Sequence, residues 1–272
     1  MGQSRPQEKK YTDPVETSAE KLDIVAGKNP VYEALKSGAP LDAIYVSHET
    51  GGLSDIIALA KERDIPVKVV NDQKLSRLCG GVVHQGVVAE GACAQYVSLE
   101  TLLARGRAQE EPPFYILCDE IEDPHNLGAI IRTAEAAGVT GLILPKRHSA
   151  SLNATVGKTS AGAISWLPVA RVSNLVSAME ELQQNGVWVY GTDAEGAPYQ
   201  TVDFTGATAL VIGSEGFGMR RLVRDRCDAV VALPMRGHVN SLNASVAAGI
   251  LIYEVVRQRI GAGAAQAGSP EG

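Results

Sequence analysis

The 272-residue chain has little of what marks several common protein classes. Its four cysteines, Cys79, Cys93, Cys118 and Cys227, are far apart and form no C-x-x-C pair. That spacing excludes a disulfide framework and a clustered zinc site, and it predicts buried free thiols. Positive charge is in deficit, with 25 Lys and Arg against 31 Asp and Glu and a net charge of −6. Any attraction to nucleic acid must therefore be local. No apolar run approaches the roughly 18 residues of a membrane span. The first residues lack a secretory apolar core, and Pro6 occupies the place where a myristoylation motif needs Ser or Thr. The expected compartment is the cytoplasm. Aromatics contribute only 5% of residues, against 45% hydrophobic and 21% charged, so the composition is that of a globular chain with an aliphatic core.

Residues 1–21 are polar with almost no large apolar side chains, and residues 261–272 are Gly/Ala-rich. Both are expected to be flexible tails, because neither can offset the entropy of ordering. Between them, β-branched runs alternate with helix-period segments. Asn29-Pro30 opens a helix that closes near Gly38, Ala43–Val46 reads as a strand and Ser54–Arg63 as a helix, and strands follow at Val67–Val70 and Val82–Ala89. A linker is expected over 98–113, ending at Pro112-Pro113. Phe114–Cys118 then forms a continuous apolar run suited to a strand buried on both faces. A helix over Leu127–Ala137, with Asn126 as its N-cap, leads to further strands at Gly141–Leu144, Val187–Tyr190, Ala209–Ile212 and Ala229–Leu233. A helix is expected after Ser173 and a last one over about Leu242–Arg259. This alternation predicts an α/β fold with a mostly parallel sheet, whose ligands sit beyond the carboxyl ends of the strands.

Three segments concentrate polar chemistry at such ends. The first is Asp119–Gly128, containing Asn126, with Arg132 and Glu135 further along the helix. An ordinary i, i+3 ion pair competes there with a phosphate-clamping guanidinium. The second, Leu210-Val211-Ile212-Gly213-Ser214-Glu215-Gly216-Phe217-Gly218-Met219, carries a strand into a glycine-rich turn that is neither G-x-G-x-x-G nor a P-loop. The third, Leu233–Ser245, gathers Ser241, Asn243 and Ser245 at a helix start, more short polar side chains than one cap requires. No nucleophile elbow or H-E-x-x-H is present, and His238 reads as a solvent-facing loop residue.

In this order the three segments resemble the motifs of the SpoU (TrmH) family of RNA ribose 2′-O-methyltransferases, over Phe114 to about Arg259. Residues 22–97, with Ile24–Val31 and His84–Val87, resemble that family's small RNA-binding domain, which is related to ribosomal protein L30e. The resemblance is strongest to members that methylate a guanosine of 23S rRNA, and sister enzymes acting on tRNA share the motifs. It implies a methyltransferase domain over 114–260 with a deep trefoil knot, S-adenosylmethionine as cofactor with no metal, RNA as substrate and a homodimer. Gly191, Thr192, Asp193, Ile212, Gly213, Leu233, Met235, Ser241, Leu242 and Asn243 match the cofactor-contacting stretches. Asn126, Arg132, Glu215, Ser241 and Asn243 match the catalytic positions. Phe217 departs from the polar residue of many relatives, and Trp166 falls where variability is expected.

The resemblance further implies that Arg132 positions the hydroxyl and its neighbouring phosphate, because a guanidinium does not readily act as a literal base. Glu215 is expected to orient Arg132 or a loop, Asn126 and Asn243 to hold substrate, and Ser241 to fix the cofactor end. Lys146, Arg147, His148, Lys158, Arg171, Arg220, Arg221, Arg224, Arg226 and Arg236 are the available phosphate donors. Two other classes compete. A non-catalytic RNA-binding protein has no use for the polar cluster beside the glycine turn, and a dinucleotide oxidoreductase needs a fingerprint that is missing.

Overall fold

The computed structural model describes residues 24–48 and 51–267. The expected tail over 1–21 lies outside them. Two sheets organise the chain. The first unit runs β1 (Ile24–Ala26), α1 (Lys28–Lys36), β2 (Leu41–Ser47), α2 (Ser54–Glu62), β3 (Val67–Val70), α3 (Asp72–Leu78) and β4 (Val87–Gly91). Its four strands lie in the order β1-β4-β2-β3, with β4 antiparallel to both neighbours and β3 parallel to β2. Residues 82–86, expected as part of a strand, form a loop before β4. There Gln85 has φ 49° and Gly86 φ 80°, a left-handed turn that an extended strand cannot contain.

The second unit begins within the expected linker, where Ser98 caps α4 (Leu99–Arg107) by accepting from the Thr101 N–H. It continues with β5 (Phe114–Asp119), α5 (Pro124–Ala136), β6 (Gly141–Pro145), α6 (Ala154–Thr159), β7 (Val169–Val172), α7 (Leu175–Gln184), β8 (Trp188–Pro198), β9 (Thr208–Gly213), α8 (Arg221–Arg224), β10 (Ala229–Ala232) and α9 (Ala244–Ala267). The six strands are parallel, in the order β10-β8-β9-β5-β6-β7. The stretch expected to fray from residue 261 continues α9 to Ala267.

The apolar run of β5 is explained by burial on both faces. Phe114, Ile116 and Cys118 join the core beneath α5 and α9, while Tyr115 and Leu117 join the core beneath α4 and α7. Leu210 and Ile212 of β9 divide from Ala209 and Val211 in the same way. The small unit has two cores of its own, around Ile44 and Val87 and around Tyr45 and Leu75. Among the described residues, no helix is long and apolar enough to cross a membrane.

The buried-thiol expectation holds for Cys79 and Cys118, whereas Cys227 is half-buried and Cys93 exposed. Cys93 sits just after the small sheet, in a segment crossing between the units, and is not enclosed by a core.

Candidate active site

The carboxyl ends of β5, β8, β9 and β10 meet at one edge of the large sheet, and the three polar segments converge there. Chain order brings this about: β6 and β7 are laid to one side of β5, then the chain crosses back and adds β8, β9 and β10 on the other. The position between β5 and β9 is thus the topological switch point, where α/β sheets open a ligand crevice.

Helix α5 starts at Pro124, not at Leu127. Its N-cap is Asp123, which accepts from the His125 N–H at 2.9 Å, with Pro124 in the first helical position. The expected N-cap, Asn126, instead lies inside the first turn, buried, with its amide free to reach sideways. Asn126 Nδ2 donates to Glu215 Oε1 at 2.9 Å. Asn243 Nδ2 donates to the same Glu215 oxygen and, at 2.9 Å, to Asn126 Oδ1, while the Ala244 N–H donates to Glu215 Oε1 at 3.2 Å. Asn243 Oδ1 caps α9 by accepting from the N–H groups of Ser245 and Val246 and from the Ser245 hydroxyl. Asn153, the other Asn followed two positions on by Ser or Thr, likewise caps α6 through the Val156 N–H.

The glycine turn is closed by reciprocal bonds between Ser214 and Gly218, N–H to carbonyl in each direction at 3.0 and 2.9 Å. A Cβ on Gly213 would stand 2.3 Å from the Gly218 carbonyl carbon and 2.4 Å from Met219 N, so only glycine admits this approach of backbone to backbone. Beyond the turn, the Arg220 N–H donates to Asp119 Oδ2 at 2.7 Å and its Nε to Asp119 Oδ1 at 2.8 Å. Asp119 is fully buried at the end of β5, so this pair straps the turn to the central strand. On the other side, β8 pairs with β10 through Gly191 and resumes only at Ala197. The intervening excursion puts Thr192 and Asp193 at the site. The Thr192 hydroxyl donates to Val211 O, and Arg224 holds Asp193 at 3.5 Å and Glu195 at 3.0 Å.

These segments enclose a cavity of about 340 Å³. Of the residues expected to contact cofactor, Thr192, Asp193, Ile212, Gly213, Leu233, Met235, Ser241 and Leu242 line it. Gly191 lies underneath, against Met219 and Cys227, and Asn243 stands behind in the asparagine–glutamate triangle. Glu215 lines the cavity and faces the two asparagines, not Arg132. Arg132 is exposed almost two turns along α5 from Asn126, outside the cavity lining, and forms no ion pair with Glu135 or any other described residue. Sequence reasoning missed Val231, Ala247 and Leu251, which form the apolar floor. Their only local signal is the ordinary spacing of core residues.

Most of the expected phosphate donors are committed to carboxylates. Lys146 pairs with Asp64, Arg171 with Asp42, Arg220 with Asp119, Arg221 with Asp225, Arg224 with Asp193 and Glu195, and Arg226 with Glu180. His148 faces Glu122 at 3.4 Å. Arg147, Lys158, Arg236 and Arg132 form no ion pair among the described residues. Burial pushes the thiols of Cys118 and Cys227 up to about 12, which leaves neither a nucleophile near neutrality. No group of three or more His, Cys, Asp or Glu among the described residues is arranged to hold a metal.

A family model described as "SpoU rRNA Methylase family" matches residues 113–253, and one described as "RNA 2'-O ribose methyltransferase substrate binding" matches residues 24–97. The chain belongs to the SpoU family of RNA methyltransferases. This SpoU protein is 48% identical over 240 residues to the "Putative TrmH family tRNA/rRNA methyltransferase YacO" of Bacillus subtilis, covering 87% of this chain and 96% of that protein. A Staphylococcus aureus protein of the same family description is 44% identical over 239 residues, covering 87% of this chain and 96% of its own.

Solved structures agree. The SpoU methyltransferase AviRb of Streptomyces viridochromogenes in complex with AdoMet is 28% identical, with a TM-score of 0.56 over 88% of this chain and 90% of that one. An AdoMet-bound rRNA methyltransferase of Sinorhizobium meliloti is 26% identical, with a TM-score of 0.53 over 86% and 87%. The TrmH/SpoU tRNA modifying enzyme of A. aeolicus, 31% identical, matches 61% of this chain and 86% of its own, with a TM-score of 0.53. The SpoU chain is thus an S-adenosylmethionine-dependent RNA methyltransferase with an RNA substrate-binding domain.

Proposed function

We propose that this enzyme methylates a ribose 2′-hydroxyl, most favourably of a guanosine in 23S rRNA, in the cytoplasm. The observation that carries this reading is the 340 Å³ cavity at the carboxyl ends of β8, β9 and β10, walled by a glycine turn and backed by the Asn126–Glu215–Asn243 triangle. The cavity suits S-adenosylmethionine. Its floor is aliphatic, Gly216 in the glycine turn leaves its backbone open to a ligand, and Asp193 and Ser241 add polar ends. When bound, the cofactor supplies an electrophilic methyl on its sulfonium. The ribose oxygen would take that methyl in exchange for its proton, which would pass to the adjoining phosphate or to water, and the demethylated cofactor would leave.

The chain must hold the hydroxyl in line and help its proton depart. Asn126 and Asn243, each with its amide fixed by Glu215, present a rigid polar wall for the ribose. Arg132, exposed outside the cavity lining, holds the adjoining phosphate and through it orients the ribose. Ser241, whose described partner is only Asn240 Oδ1 at 3.5 Å, is free to accept a cofactor or ribose contact. Unpaired Arg147, Lys158 and Arg236 remain available for RNA phosphates. The L30e-like character of residues 24–97 and a trefoil knot around the cavity belong to the same reading.

So does a homodimer. Val246, Ile250 and Tyr253 form an exposed stripe at i, i+4, i+7 on α9, continued by Ile260. A helix this apolar on its outward face calls for cover.

A tRNA substrate is the second reading, favoured by the "tRNA/rRNA" description of the relatives. Transfer of labelled methyl to unmodified 23S rRNA and, separately, to tRNA, followed by nuclease digestion, decides. Label in 2′-O-methylguanosine from 23S rRNA is the expected result. Label confined to tRNA keeps the chemistry and replaces the substrate, and base-methylated product overturns the ribose assignment.

A further inference from the structure

The two units share no apolar core. Among the described residues, each hydrophobic cluster draws either on residues before Ala92 or on Ala92 and later ones, never on both. Open clefts of about 760 and 470 Å³ lie at their junction. A shared apolar core therefore does not set the angle between the substrate-binding and methyltransferase domains.

A buried polar cluster spans the junction. Asp42 of β2 is fully buried, and its Oδ1 accepts from Arg171 Nη1 of β7 at 2.8 Å. The same Arg171 nitrogen donates to the Asp42 carbonyl at 3.1 Å. Tyr96, on the segment joining the domains, donates its hydroxyl to Asp42 Oδ1 at 2.9 Å and accepts from the Leu152 N–H at 3.1 Å. The Arg171 guanidinium lies over the Tyr96 ring, 4.9 Å from its centroid. Only 9% of the Arg171 side chain and 1% of that of Asp42 are exposed. Asp42 Oδ2 has no partner among the described residues, so the carboxylate's hydrogen bonds run from Arg171 and Tyr96, both outside the small sheet. A second ion pair, Lys146 with Asp64, crosses the junction nearby at its solvent edge.

We propose that Asp42, Arg171 and Tyr96 form an interdomain lock that positions the RNA-binding domain at one fixed angle to the methyl-transfer cavity. Its residues touch neither cavity nor cofactor and act through the domain they hold. Charges desolvated at a junction bind strongly only to a well-placed partner, and removing one partner leaves the other buried and unpaired. The angle is consequently narrow in the intact enzyme and loose once the cluster is broken. Its functional consequence rests on the RNA-methylation reading: an enzyme with a fixed reach modifies a nucleotide at a set distance from the element its first domain grips. Arg171 is thereby a structural cation and not an RNA phosphate donor.

The test places spin labels, carried by noncanonical amino acids, at exposed Gln73 of α3 and Gln184 of α7, with labelled chains diluted into unlabelled protein. Pulsed dipolar spectroscopy should give one narrow interdomain distance for the otherwise unchanged enzyme, a broad distribution for Arg171→Ala, and partial recovery of the narrow one for Arg171→Lys. Tyr96→Phe, which removes one hydroxyl and keeps the ring, should broaden it without unfolding and serves if Arg171→Ala does not fold. The KM for structured RNA should rise about tenfold in the broadened variants, with S-adenosylmethionine affinity unchanged. An unaltered distance distribution in both Arg171→Ala and Tyr96→Phe overturns the lock, and a broadened distribution with unaltered KM overturns its positioning role. Should the unchanged enzyme methylate no RNA, the functional reading falls, while the distance measurement still decides the lock.

Discussion

Asn126 and Glu215 stand 89 positions apart in sequence and are joined by a 2.9 Å hydrogen bond from Asn126 Nδ2 to Glu215 Oε1. The same oxygen also accepts from the Asn243 amide and the Ala244 N–H, so one carboxylate oxygen gathers α5, the glycine turn and the start of α9. Glu215→Ala leaves three donors without their acceptor. Stability should fall by about 1 kcal/mol, modest because Glu215 is exposed, and methyl transfer by well over an order of magnitude, roughly the loss of a preorganised wall. Glu215→Gln keeps an acceptor oxygen and should regain most of the stability and only part of the rate. Chemical denaturation beside initial rates separates the two effects, and a fully active Glu215→Gln contradicts the role.

Arg132 stands apart from the cavity, so its removal should spare the cofactor. Arg132→Ala is expected to lower kcat roughly a hundredfold while equilibrium dialysis shows unchanged S-adenosylmethionine binding. Loss of cofactor affinity would show that the guanidinium serves the cavity instead of the RNA.

Gly213→Ala forces a methyl against the backbone of Gly218 and Met219. The three nearest atoms all belong to the Gly218–Met219 peptide, so no flexible side chain can yield and the turn must shift. S-adenosylmethionine affinity should drop at least about tenfold, and hydrogen exchange should show the change confined to the second domain, because residues 24–91 have their own cores.

Alkali should weaken the fold. Cys118 and Cys227 have thiols pushed up to about 12 by burial, with negative neighbours adding in the same direction. Burial also raises Tyr45 and Tyr96. Folded-state values above the unfolded ones mean a stabilising contribution that is complete below about pH 9 and lost as pH rises toward 12. Denaturant midpoints measured from pH 8 to 11 should fall, and Cys118→Ala should flatten part of that slope. In native protein near neutral pH, a maleimide should label Cys93 and spare Cys118, as peptide mass spectrometry can read directly.

The stripe on α9 predicts an oligomer that a single charge disrupts. Tyr253→Asp should convert a dimer to a monomer in sedimentation analysis without loss of helicity, since Tyr253 is half-exposed and outside the core. A monomeric parent enzyme at micromolar concentration overturns the dimer.

What could be read from the sequence follows from how far each signal reaches. The β5 run was legible because burial on both faces writes itself into consecutive residues, and α7 because Leu175, Met179 and Leu182 repeat at helical spacing and are buried. Helices α3 and α6, of 7 and 6 residues, are too short and polar to show a period. The expected start of α5 falls three residues late: Asn126 has the residue type of a cap, yet its side chain is engaged by Glu215, a partner that no local window contains. Arg171 and Arg220 looked like free cations for the same reason, since Asp42 and Asp119 lie 129 and 101 positions away. The motif residues themselves were recognisable by type and order. Their pairing was not: of the two expected partners of Glu215, Arg132 or a loop, the fold joins it to the loop that opens α9, and to Asn126.

Asn243 follows Asn126 by 117 positions, and the helix it caps supplies Ala247 and Leu251 to the cavity floor. A ribosome delivers the chain from the amino end, so a nascent polypeptide can display a finished RNA-binding domain, then β5 and α5, while one wall of the catalytic pocket is still untranslated. On the proposed assignment of this cavity, the enzyme would be silent toward methyl transfer throughout most of its own synthesis, and its catalytic competence would begin only after α9 has emerged and docked.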